Sequence, residues 1–238
     1  MDPHPRPETR EGLPPRQQSL APGVAIPWHE HGHGYLAVVL EGGYLEAGDG
    51  GRVNVQAGDA VVHLPFSAHT DFVCQQRVEL INLPLPLGYA LRMRSGRIDQ
   101  PDEVLAALKS DPQAAMALLE TGITPHAAEQ DEVDSLARAL AAETCLNLAE
   151  WADLHGICER TVTRRFRAAF GIPPAHYRLR QRALRAWRSV LETHTPLAEI
   201  AAAEGFSDQA HMTRAIRTLS GHTPGQWRQA YPAPWMSD

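Results

Sequence analysis

Five of the twelve histidines fall between residues 29 and 69: His29, His31, His33, His63 and His69. Side chains alternate across a strand, so an extended segment would put the first three on one face and present imidazoles to a divalent metal such as Zn, Fe or Mn. The same histidines could instead line a pocket for a small molecule or simply pack, as Trp28 and Tyr35 beside them are expected to do. A second chemistry-bearing set lies near the other end of the chain: Arg160, Thr161, Thr163 and Arg164, then Gln209, Ala210, His211, Thr213 and Arg214. Arginine can hold guanine through two hydrogen bonds, glutamine can do the same with adenine, and threonine offers a hydroxyl and a methyl group. The plain alternative is a solvated polar helix face.

The second set sits inside an internal repeat. Leu148, Ala152, Gly156 and Ile157 recur 49 positions later as Leu197, Ala201, Gly205 and Phe206, and Val162, Thr163, Arg164, Gly171, Pro174 and Arg178 recur 50 positions later as Met212, Thr213, Arg214, Gly221, Pro224 and Arg228. One residue has been added in the turn of the second copy. Each copy reads as a short helix, a glycine able to take positive φ, and a second helix with its own apolar stripe, which is helix-turn-helix grammar. Asn147 with Glu150 predicts a capping box, Thr195-Pro196 a helix start, and Ser207 the cap of the last recognition helix. Val162, Phe166 and Ala169 are expected to face inward. Between the copies, PPAHYRLRQRALRAWRSVLETHT predicts one continuous linker helix with Tyr177, Leu184 and Leu191 seven apart. About 18 residues of helix would span roughly 27 Å, comparable to the spacing of successive major-groove faces.

The elements that must position the histidines are of another kind. Residues 20 to 83 alternate short apolar runs, such as YLAVVL and RVNV, with glycine-containing turns, which predicts a small antiparallel barrel or sandwich. Pro84 and Pro86 end it. Residues 102 to 145 space Val104, Leu105 and Leu108, then Val133, Leu136 and Leu140, at helical intervals, and their apolar faces need a partner in the barrel, the carboxyl-terminal region or a second subunit. The expectation is a two-domain α+β protein: a tail over 1–19, an antiparallel β-barrel domain over 20–95, a helical connector over 96–145 and an all-α tandem helix-turn-helix DNA-binding domain over 146–232.

Composition agrees with this division. The 238 residues are 43% hydrophobic and 21% charged, which excludes a disordered or fibrous chain. The net charge of −6 conceals a split, with 10 basic and 20 acidic residues up to position 145 but 12 basic and 8 acidic after it, so basic groups gather where the repeat lies. No apolar run approaches membrane-spanning length and the first residues lack a signal-peptide block, which predicts a soluble, cytoplasmic protein with no membrane partner. Cys74, Cys145 and Cys158 fit neither a disulfide framework nor a metal knuckle and are expected to be reduced thiols, mostly buried.

From about Leu146 to Arg228 the chain resembles the paired helix-turn-helix domain of AraC/XylS-family transcription regulators. AEIAAAEGFSDQAHMTRAIRTLSGHTPGQWR is very close to that family's signature, and LAEWADLHGICERTVTRRFRAAFGIPPAHYRLR follows its pattern. The resemblance implies a non-enzymatic DNA-binding regulator of transcription. Its second helices would enter the groove of double-stranded promoter DNA, with RNA polymerase as partner if it activates, a small-molecule effector, and a homodimer among the expected assemblies. Two departures stand out: Cys158 where a capping Ser is common, and Ile216 where Phe is common. HEHGHGYLAVVLEGG followed by AGDAVVHLPFSAH resembles the two half-motifs of a cupin barrel. Metal-dependent cupins place a Glu four or five residues after the paired histidines, where this chain has Leu36, Ala37 and Val38, with Glu41 and Glu46 later, so the resemblance requires no cofactor. A metal-binding cupin sensor or a metal-dependent cupin enzyme is the rival reading.

Overall fold

A computed structural model describes residues 10–11, 14, 16–85, 95–125, 131–143 and 146–231. Residues 1–9 of the expected tail, and Cys145, lie outside the described residues. The chain divides into two compact units, over residues 5–129 and 130–238.

The first unit is built from two sheets. One has the order β1 (Arg10–Glu11), β3 (Ala25–His31), β8 (Ala68–Val73), β5 (Gly43–Gly48), β6 (Gly51–Gln56). The other has the order β11 (Ile123–Pro125), β10 (Gly96–Ile98), β7 (Asp59–His63), β4 (Tyr35–Glu41), β9 (Val78–Pro84), β2 (Gln17–Leu20). All pairs are antiparallel except β1 with β3. The run YLAVVL on β4 does not alternate with polar residues, because both of its faces are covered. Tyr35, Ala37 and Val39 pack with Tyr44, Val55, Val61, Val73, Val78 and Leu80 between the sheets. Leu36 and Val38 turn the other way, onto Val104, Leu108, Ala115 and Leu119. Gly42 turns β4 into β5 at φ +75°, where a Cβ would overlap the carbonyl of Arg77.

Those outer apolar partners belong to α1 (Pro101–Ser110) and α2 (Pro112–Thr121). The Asp111 carboxylate caps α2 by accepting from the Gln113 and Ala114 N–H groups, with Pro112 at its first position. The stretch 96–145 is thus shared: α1, α2, β10 and β11 complete the first unit, while α3 (Glu132–Ala142) packs in the second. Residues 10–11 and 17–20, within or bordering the expected tail, are strands, because β2 pairs with β9 along its whole length from Gln17↔Ile81 to Leu20↔Val78.

The second unit is all helical. After α3 come α4 (Leu148–Leu154), α5 (Glu159–Phe170), α6 (Pro174–Glu192), α7 (Leu197–Ala203), α8 (Gln209–Ser220) and α9 (Pro224–Ala230). The 19-residue α6 is the continuous linker, about 28 Å long at 1.5 Å per residue. It buries Tyr177, Leu184, Trp187, Val190 and Leu191 against the helices on either side. Phe166 and Phe170 stack at 4.5 Å, and both meet Tyr177 edge-on. In the second half Trp187 and Trp227 meet edge-on at 5.7 Å, over a core of Met212, Ile216 and Leu219.

Two expectations are corrected here. Cys74 and Cys158 are exposed, since one follows the end of β8 and the other is the first-turn residue before α5. The α8 cap is Asp208 and not Ser207: in the 50-residue register Asp208 stands where Cys158 does, and Ser207 is the added residue.

Candidate nucleic-acid interface and histidine cluster

The two helix-turn-helix units form because each closes on itself in the same way. Gly156 and Gly205 take φ +65° and +71° in the turns, and Gly171 and Gly221 end the recognition helices in left-handed backbone at +74° and +80°. Arg178 then donates to the Leu146 carbonyl just before the first unit, and its repeat partner Arg228 donates to the Thr193 and Thr195 carbonyls just before the second. Asn147 accepts from the Ala149 and Glu150 N–H groups, and its amide donates to the Glu150 side chain, so the reciprocal contact of the expected capping box is made between side chains.

On α5, Val162, Phe166 and Phe170 are fully buried, and Ala169 only half so. The opposite face carries Arg160 and Arg164, both exposed, with Thr161 and Thr163 half-buried. On α8, Met212, Ile216 and Leu219 are buried, while Gln209, Ala210 and Arg214 are exposed and His211 and Thr213 half-buried. Thr163 with Thr213 and Arg164 with Arg214 occupy identical positions on the two helices. Among the described residues no carboxylate lies within ion-pair distance of Arg160, Arg164 or Arg214. Arg167 and Arg217, one turn further on and also exposed, extend both faces. Sequence reasoning passed over them, although the 50-residue register pairs them as it pairs Arg164 with Arg214.

The second recognition helix is fixed more firmly at its start. The Asp208 carboxylate accepts from the His211 N–H at 2.6 Å, and this backbone bond, together with Ser207 and the charge of Arg214, holds its carboxyl below the usual range. The His211 ring lies 3.2 Å from the Ser207 hydroxyl and edge-on to Phe206. At the start of α5, Cys158 makes no side-chain cap bond. The linker arginines have other work. Arg182 donates to the Glu204 carbonyl and lies over the Phe206 ring at 4.6 Å. Arg185 binds the Glu204 carboxylate at 2.7 Å and the Ala141 carbonyl, and Arg180 is buried.

In the first unit, four of the five candidate histidines come together. His29 and His31 on β3 face His69 on β8, with His29 in register opposite His69. His63 on β7 is stacked at 4.3 Å on Tyr35 of β4. All four are buried, at 9% exposure or less. His33 is exposed and takes no part, because β3 ends at His31 and the chain bends away before the alternation can reach it. Two carboxylates join the cluster that the sequence reading left out of the candidate set: Glu46 on β5, in register with Asp71 on β8. Their strand spacing was visible, but not that β5 lies beside β8.

The His31 and His69 Nε2 atoms are 2.9 Å apart, and the Tyr35 hydroxyl is 3.1 Å from His31 Nε2. His69 Nδ1 is 2.9 Å from Asp71, and His29 Nδ1 is 2.9 Å from the Pro27 carbonyl. Glu46 Oε2 lies 3.6 Å from His69 Nδ1 and 3.7 Å from His63 Nε2. Burial, reinforced by the charges of His69 and His29, pushes His31 down to about 3, and burial likewise drives His63 well below its ordinary value. Burial also opposes charge on His69, but the Asp71 and Glu46 carboxylates outweigh it and hold that imidazole up at about 9. Glu46 is raised to about 7, by burial first and by Asp71, with His69 opposing. Phe66, in the turn between β7 and β8, adopts φ +66°, rare for a bulky side chain, while its N–H donates to the His31 carbonyl at 2.8 Å. Among the described residues, those able to hold a metal form two overlapping triads, His29–His31–His69 and Glu46–His63–His69.

Residues 151–230 match a family model described as a helix-turn-helix domain. The chain is 31% identical over 87 residues to a protein of Streptomyces antibioticus described as an AraC-like transcription regulator, across 37% of this chain and 28% of that one. It is 30% identical over 96 residues to a protein of the same description from Streptomyces lividans, across 37% and 32%. The chain thus spans about a third or less of the length of these curated relatives. Among solved structures it is similar to the DNA-binding domain of AdpA in complex with a target DNA, at 26% identity over 46% of this chain and 100% of that one, with a TM-score of 0.41. It is also similar to ToxT of Vibrio cholerae with unsaturated fatty acid bound, at 7% identity over 92% and 95%, with a TM-score of 0.44. With its duplicated units in register and lying within the residues that the family model matches, the carboxyl-terminal region is a helix-turn-helix domain, and over 37% of its length the chain is similar to AraC-like transcription regulators.

Proposed function

We propose that the protein regulates transcription in the cytoplasm by sequence-specific binding to promoter DNA, with α5 and α8 each laid in a major groove. The observation that carries this reading is the in-register pair of exposed arginines, Arg164 and Arg214, on faces opposite two buried apolar stripes. Arg160, Thr161 and Thr163 on α5, and Gln209, Ala210, His211 and Thr213 on α8, are the remaining base- or backbone-facing candidates. His211 is partly committed to holding its own helix start. The description of the Streptomyces relatives supports the same function. The two-sheet unit is the sensor of an effector, acting through its different affinities for two states of the protein, because a ligand shifts an equilibrium only by that difference. RNA polymerase and a second copy of the chain are the proposed protein partners.

The test is selection of binding sites from random duplexes by the full-length protein, then footprinting. Arg164→Ala and Arg214→Ala should each weaken binding by about 1 to 3 kcal/mol and relax preference at one base position, at two places separated by about one helical turn of DNA. Unchanged footprints in both variants would sink the assignment.

A further inference from the structure

We propose that His211 is a specificity-determining residue of the second recognition helix: held as its Nδ1–H tautomer by Ser207 and Asp208, it offers Nε2 as an acceptor to the exocyclic amine of a cytosine or an adenine. This rests on the reading of α8 as a groove-entering helix and gives one of its side chains a defined preference. Residues at the amino end of a recognition helix are those that meet base edges, and His211 is the third residue of α8. Counting protons fixes the tautomer. Asp208 Oδ1 accepts from the His211 backbone N–H at 2.6 Å, and Oδ2 lies 3.2 Å from the Ser207 hydroxyl. The first of these bonds, helped by the second, holds the carboxyl below its usual range, so it is ionised and can only accept. A hydroxyl has one hydrogen to give. Donated to the carboxylate, the stronger acceptor, it leaves only lone pairs on the Ser207 oxygen to face His211 Nδ1, 3.2 Å away. Nδ1 is therefore the donor, and in a neutral imidazole Nε2 then carries the lone pair.

Among the described residues no hydrogen bond or ion pair takes up Nε2. The ring is steadied edge-on against Phe206, which is itself buried and covered by the Arg182 guanidinium. In the major groove cytosine N4 and adenine N6 donate, whereas guanine O6 and N7 and thymine O4 accept. A ring nitrogen fixed as an acceptor selects the first pair of bases and disfavours the second. The first unit has no such arrangement. His211 corresponds there to Thr161, Asp208 to Cys158, which makes no cap bond, and Ser207 is the residue added in the second turn. Ser207 and Asp208 are positioning residues, acting on the base only through the imidazole.

The experiment uses the full-length protein and a duplex selected by it, with each position beneath α8 replaced in turn by the other bases. The wild type should favour cytosine or adenine over guanine or thymine at one position by about 2- to 10-fold, and His211→Ala should flatten the preference there alone. Asp208→Asn is the sharpest variant. Asparagine caps a helix as well as aspartate does, but the introduced amide donates to the Ser207 oxygen, which turns the hydroxyl hydrogen onto Nδ1 and leaves Nε2–H as a donor. Preference at the same position should then reverse, toward guanine or thymine. Ser207→Ala should weaken the preference without reversing it, and Ser207→Thr should restore it. Circular dichroism checks the fold of each variant, and Ser207→Ala decides the matter if Asp208→Asn does not fold. A preference left intact by His211→Ala, unreversed in folded Asp208→Asn, or undiminished in Ser207→Ala overturns this proposal alone. Selection of no site by the wild type removes the groove reading and this proposal with it, so the two failures are told apart.

Discussion

In the first helix-turn-helix unit the recognition helix begins at Cys158 with no side-chain cap; in the second it begins at Asp208, whose carboxylate accepts from the His211 N–H. The first unit has a neighbour in compensation. Glu132 on α3 pairs with Arg165 on α5, and α3 also packs along the linker helix. The second unit receives instead an aromatic seam, Trp187 to Trp227 to Tyr231, and an indole N–H donated to Ser220 at 2.7 Å. What both copies keep is the pair of left-handed glycines and the arginine that closes each unit onto the residues preceding it. Duplication has preserved the contacts that make the fold, together with Thr163 and Thr213 and with Arg164 and Arg214, and has varied the helix starts and the other exposed positions of the two helices.

Six substitutions of four kinds probe that contrast. The largest effect is expected in the cores: Phe166→Ala should cost about 3 to 5 kcal/mol, because the cavity lies within a three-ring cluster, and Ile216→Ala about 2 to 5. Denaturant unfolding gives the totals, and hydrogen exchange shows whether each loss stays within its own unit. Next come the closing arginines. Arg178→Met and Arg228→Met should each cost about 1.5 to 3 kcal/mol, since both remove charged hydrogen bonds to part-buried carbonyls. A loss confined to one variant would mean that the two clamps are not equivalent. Cys158→Ser should add the missing cap and stabilise the first unit by about 0.5 to 1 kcal/mol, read as a raised melting temperature. Smallest is Arg165→Ala: the ion pair is half-exposed, and its loss should cost no more than about 1 kcal/mol, less at high salt.

Much of the second unit could be read before any coordinates. Its helices are long enough for periodicity, its glycines mark the turns, and the repeat cross-checks each assignment against the other copy. The cap slipped by one position, since Ser207 and Asp208 are both good acceptors and only the register of α8 chooses between them. In the first unit the histidines were visible, but their assembly depends on which strands lie side by side. Glu46 and Asp71 are 25 residues apart in sequence and meet only through the β5–β8 pairing. His33 kept the right spacing on a strand that stops two residues too soon. The strands β10 and β11, at three residues each, are too short to show a period, and their pairing is visible only in the fold.

The arginines turned inward change how the protein should answer to ionic strength. Of the twelve basic residues after position 145, Arg178, Arg182, Arg185 and Arg228 hold backbone or carboxylate groups of their own domain, Arg180 is buried, and Arg165 and Arg188 are paired with glutamates. That leaves Arg160, Arg164, Arg167, Arg214 and Arg217 to displace counterions from a duplex. A logarithmic plot of affinity against salt should then fall with a slope of about −4 to −5, far shallower than the sum of basic residues suggests. Discrimination among sequences would rest correspondingly less on bulk attraction to phosphate.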